Sequence, residues 1–135
     1  MVNPLKIILT QGYKRGSKFN FEKDDCAVIA TSIAFQIPYG KAHEIFFNIG
    51  RKNCQGVLNN SVRLLYEKEL NGYKTKLTDL YYGASKNILK TLSFGRYVIM
   101  EKEHFYAFIN GVIYDSVNPL KNKRILAYWE LSKTP

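Results

Sequence analysis

Cysteine, histidine and acid are all scarce in this chain. Its 135 residues include two cysteines, Cys26 and Cys54, and two histidines. Two cysteines make no disulfide framework, and neither sits in a CxxC pair or a Cys/His cluster with metal-ligand spacing. Neither a metal centre nor another cofactor is therefore expected. Long apolar runs are missing too. Nothing approaches the roughly 18 residues of a membrane span, and the opening KIILT is too short for the apolar region of a signal peptide. The expectation is a soluble, cytosolic protein with no membrane partner. There is also no repeat, low-complexity tract or linker, so residues 1–135 read as a single domain.

The shortage of acid leaves 20 Lys+Arg against 11 Asp+Glu, a formal charge of +9. Such a balance invites nucleic acid, whose phosphates are met mainly by Lys and Arg. The cations are spread along the chain, however, in small knots at Lys14, Arg15, Lys18 and Lys23, at Arg51 and Lys52, and at Lys121, Lys123 and Arg124. No RNP motif, zinc finger or GXXG loop accompanies them. They read as a basic solvated surface, with nucleic-acid binding the weaker alternative.

What the chain has in quantity is core material: 46% hydrophobic residues, with ten Tyr and eight Phe. Residues 4–10 read as a short strand and 11–24 as a loop. Cys26, Ile29, Ala30, Ile33, Ala34 and Ile37 then fall at helical spacing, which predicts a helix over 25–36 ended by Pro38. Ala42, Ile45, Phe46 and Ile49 predict a second helix up to Gly50. A third is expected from Val57 to about Leu70, capped by Asn59 or Asn60. YKTKLTDLYY is ambiguous, and ASKNILKTL reads as a short helix before Gly95. Beyond it RYVIME, HFYAFI, VIYDS and RILAYWEL are strand-like, and Asn110-Gly111 is a hairpin signal. Helices first and antiparallel sheet second define an α+β layout.

Pairing the hairpin about Asn110-Gly111 sets Tyr106 opposite Asp115 and makes Asp115 the diagonal neighbour of His104 on one face. A carboxylate there holds an imidazole in one tautomer and leaves the other nitrogen to take a proton. Cys26 belongs to the first turn of helix one, where unpaired N–H groups favour an anion by about 0.3–1 kcal/mol. That is too little to ionise a thiol at neutral pH. The chemistry requires His104 beside Cys26 in space.

The two stretches that carry these residues, DDCAVIA and HFYAFINGVIYDS, resemble the papain-like cysteine peptidase superfamily, in pattern its small phage-borne and bacteriocin-processing members. The likeness spans roughly residues 20–130. It implies a papain-like fold with N-terminal helices packed on a C-terminal antiparallel sheet. It further implies Cys26 as nucleophile, His104 as general base and acid, and Asp115 as orienting carboxylate. Asn20 stands six residues before the cysteine, where the family places an oxyanion-hole glutamine. The activity implied is a cysteine peptidase or related amide-bond hydrolase working through a thioester on a peptide or protein substrate, or an acyltransferase if an amine replaces water. The competing reading is a non-enzymatic papain-like scaffold, such as a phage structural or injected virion component, found in host cytoplasm or virion.

Single residues also have plainer readings. A cysteine on an apolar helical stripe is usually core, and His104 or Asp115 alone is most simply a strand residue or a turn cap. His43 has no evident acid to orient it, Cys54 reads as a surface thiol, and Tyr128 and Trp129 read as sheet packing. Cleft walls are expected from loops 11–24, 51–56 and 117–123.

Overall fold

A computed structural model describes residues 5–10, 19, 22–115 and 124–134. In chain order the elements are β1 (Lys6–Leu9), α1 (Cys26–Ala34), α2 (Tyr39–Asn48), α3 (Asn59–Tyr66), β2 (Tyr73–Ala84), a 3₁₀ turn (Lys86–Thr91), β3 (Arg96–Glu101), β4 (His104–Ile109), β5 (Val112–Asp115) and β6 (Ile125–Lys133). The layout is mixed α+β around one six-stranded sheet, ordered β1-β5-β4-β3-β6-β2.

The helical stripe of α1 understates its burial. Every residue from Ala27 to Ala34 is buried, and Cys26 alone, at the first position, is half-exposed. Small side chains (Ala27, Ala30, Ala34) let the helix sit close against β4, with Phe105 and Ala107 in the same core as Trp129 and Tyr66. Trp129 and Tyr66 meet edge to face at 5.1 Å, so the tryptophan packs the interior as read. The far end of α1 is closed by Arg96, whose Nε and Nη2 donate to the carbonyls of Ala34 and Ile33 at 2.6 and 2.7 Å. That guanidinium bonds the last carbonyls of the helix and places a cation at the negative helix end. A strand residue thereby ties helix to sheet.

The sheet departs from expectation at both edges. β1 runs parallel to β5, with Ile7 beside Ile113 and Leu9 beside Asp115, so the sheet is mixed rather than wholly antiparallel. The ambiguous YKTKLTDLYY is β2, antiparallel to β6 and broken by a bulge between Asp79 and Ala84. Its ambiguity has a physical source: β2 is an edge strand whose Lys74, Lys76 and Leu77 are exposed, and exposed edges are not held to strict alternation. Around the central strands both faces are buried. One packs under the helices; the other carries Tyr97, Ile99, Tyr106, Phe108 and Ile113, with Leu89 of the 3₁₀ turn among them.

One cap expectation is corrected. Leu58, not Asn59 or Asn60, occupies the cap position of α3, and no side chain caps it. Asp25 occupies the cap position of α1 but makes no capping hydrogen bond; its carboxylate instead accepts the Tyr39 hydroxyl at 2.7 Å. The hairpin signal holds, for Asn110 and Gly111 both take positive φ, 48° and 83°, the signature of a turn whose twist matches the flanking strands.

Candidate functional site

Three chain segments meet at one end of the sheet. Cys26 is the first residue of α1, His104 the first of β4, and Asp115 the last of β5. The hairpin register pairs Ala107 with Tyr114 and Phe108 with Ile113. Continued by one step, it makes Asp115 the diagonal neighbour of His104. The geometry closes that diagonal with a 2.7 Å bond between His104 Nε2 and Asp115 Oδ1. β1 secures the acid from its other side: the Thr10 N–H donates to the Asp115 carbonyl at 2.6 Å.

With Nε2 paired to the carboxylate, Nδ1 is the ring nitrogen left over, and Cys26 is close enough to the ring to favour its charged form. Burial works against a charged imidazole here, but the bonds to Asp115 and Cys26 outweigh it and raise the His104 pKa to about 9. The His104 side chain is 11% exposed and that of Asp115 fully buried, so the ion pair is shielded from water while one edge of the ring reaches the surface.

That edge opens into a cleft of about 870 Å³, which takes in Cys26, His104 and Phe105. Val57, Leu58 and Asn59 form the facing wall. The cleft thus uses residues 22–26, 56–60 and 103–105 rather than the expected loop 51–56, of which Gly56 alone takes part. Most of 11–24, all of 117–123 and the expected oxyanion donor Asn20 lie outside the described residues.

The segment leading into α1 is anchored by a cluster that the sequence did not reveal. Glu22 is buried, and its carboxylate accepts from Arg51 Nη1 and Nη2 at 3.0 and 2.8 Å and from the Cys54 N–H at 2.9 Å. His43 Nε2 lies 2.6 Å from the same carboxylate, which corrects the expectation that His43 has no acid beside it. Burial alone would raise the Glu22 pKa; the bonds from Arg51, Cys54 and His43 reverse that and hold it at about 2. Cys54 joins this cluster through its backbone N–H and, like Cys26, is half-exposed. These residues are 21 to 32 positions from Glu22, beyond any local periodicity.

Among the described residues no group of His, Cys, Asp and Glu has the arrangement of a metal site, and no helix is long and apolar enough to cross a membrane. Comparison with protein-family models, curated proteins and solved structures finds no match to this chain.

Proposed function

We propose that the protein is a thiol hydrolase of papain-like type that cleaves an amide or related acyl bond in a peptide or protein. One observation carries the reading: a half-exposed cysteine at the start of α1 stands beside an imidazole whose Nε2 is bonded to a buried carboxylate, an environment that favours the charged ring. A cleft of about 870 Å³ is of the size that small-molecule and peptide sites commonly have.

In the proposed cycle the Cys26 sulfur attacks the carbonyl carbon, a C–S bond forms, and the C=O electron pair moves onto oxygen. In this reading the backbone N–H of Cys26, at a helix start, donates to that oxyanion, with Asn20 the further candidate donor. His104 gives its Nδ1 proton to the departing amine nitrogen as the C–N bond breaks, leaving a thioester. It then takes a proton from water, whose oxygen bonds to the thioester carbonyl carbon; the C–S bond breaks with its electron pair going to sulfur, the acid leaves, and the thiolate is restored beside the protonated ring. Asp115 holds Nε2–H throughout and fixes the ring's orientation.

Alkylation by iodoacetamide, followed by peptide mass mapping, tests the proposal without knowledge of the substrate. Cys26 should react at least about tenfold faster than Cys54 near pH 6, where an ordinary thiol is almost wholly protonated, and His104→Ala should remove that lead. Equal, slow labelling of the two cysteines would favour the non-enzymatic scaffold reading.

A further inference from the structure

Directly across from His104 in the β3–β4 register stands a second carboxylate, Glu101. It is 2% exposed, yet it does not bond the ring. Its Oε2 is held by the Lys86 ammonium, from the 3₁₀ turn, and by the Tyr106 hydroxyl, which donates at 3.0 Å. The three groups form a closed unit. Lys86 Nζ stands 5.6 Å from the centre of the Tyr106 ring, and that ring lies against the imidazole at 5.9 Å between centroids. Tyr106 is buried, and burial together with Glu101 pushes its hydroxyl well above the usual phenol range, so it stays a donor.

An unrestrained carboxylate in that position would compete with Asp115. Cross-strand neighbours have Cβ atoms about 4.5–5.5 Å apart, within reach of a Glu side chain and an imidazole. Bonding to Glu101 would rotate the ring away from sulfur or give it a second anionic partner. The titratable and charged groups around His104 are Cys26 from α1, Asp115 from β5 and, across the strand register, Glu101 from β3, with Tyr106 on its own strand and Lys86 bonded to Glu101. Asp115 and Cys26 favour the charged ring.

We propose that Lys86 and Tyr106 are positioning residues that hold the Glu101 carboxylate away from His104, so that the ring keeps Asp115 on one nitrogen and the Cys26 sulfur on the other. This rests on the reading of His104 as the base at Cys26, but its central claim concerns the state of the ring. It therefore has a test independent of hydrolysis.

The test is an NMR titration of the His104 ring in the full chain, with Cys26 alkylation followed in parallel. Lys86→Met should raise the His104 midpoint by about one unit, as an uncompensated carboxylate beside an imidazole does, and slow Cys26 alkylation severalfold at pH 7. Lys86→Arg should restore both values. The double variant Lys86→Met/Glu101→Gln should return the midpoint to that of the wild type. Should Lys86→Met not fold, Tyr106→Phe carries the same test with a smaller shift in the same direction. An unmoved midpoint in a folded Lys86→Met protein, or a shift that persists in the double variant, overturns the proposal. A slow Cys26 in the wild type combined with a moving His104 midpoint supports the positioning role and removes hydrolysis alone.

Discussion

Two histidine–carboxylate pairs of almost equal length occur in this protein, His43–Glu22 at 2.6 Å and His104–Asp115 at 2.7 Å. They differ in the neighbour that completes them. The Glu22 carboxylate is gripped by the Arg51 guanidinium through two nitrogens, a planar match that saturates an acid and anchors it. His43 there shares an acid already satisfied. At the other pair the acid serves the imidazole, and Cys26 stands beside the ring in the lining of a cleft. The short His–acid contact is thus common to both pairs, and the third partner differs: a permanent cation in one case and, under the proposed function, a nucleophile in the other.

The sharpest way to break the comparison is to remove the two third partners. Under the proposed function Cys26→Ser should lower hydrolysis by a factor on the order of 10⁵ or more, as loss of a catalytic nucleophile does, while thermal unfolding stays within a few degrees of wild type. Arg51→Met should do the reverse. It strands a buried carboxylate, which costs about 3–5 kcal/mol when one member of a buried pair is lost. The expected readout is a large fall in Tm, and a fall in activity only in proportion to unfolded protein. A Cys26→Ser protein that unfolds as readily as Arg51→Met would mean that the thiol too is structural.

Acidity separates the pairs next, because their shifts have opposite sign. The folded His104 pKa, about 9, lies above its ordinary 6.5. Its contribution to stability is therefore full below about pH 6.5 and is lost as pH rises through 9. The folded Glu22 pKa, about 2, lies below its ordinary 4.5. That contribution is full above about pH 4.5 and is lost as pH falls through 2. In a series of Tm measurements against pH, Asp115→Asn should flatten the alkaline limb and leave the acid limb steep, and Glu22→Gln the converse. Both variants flattening the same limb would contradict the assignment.

The smallest effect belongs to the exposed pair of Arg63 and Asp79, joined at 2.6 Å at the surface. Arg63→Gln should cost under about 1 kcal/mol in chemical denaturation, since water and salt screen such pairs. It serves as the baseline against which the buried clamp is judged.

Much of this architecture was legible beforehand where the signal was local. Asn110-Gly111 announced a turn with two positive-φ residues, and from that turn alone the diagonal of His104 and Asp115 could be counted. The spacing from Cys26 to Ala34 announced a helix, although not that it would be buried on all sides. Edge strand β2 was unreadable because its residues answer mainly to solvent, and the parallel pairing of β1 with β5 joins segments about a hundred residues apart. Glu22, Arg51 and His43 carry no common period either.

Sequence alone determined which residues could turn, coil or extend, and which hairpin would hold an imidazole beside an acid, because those outcomes depend on backbone sterics and the alternation of side chains over a few positions. The tertiary structure decided which histidine received the thiol and which the arginine. That choice depends on burial and on charges brought together across dozens of residues, where cost and gain exist only once water has been excluded.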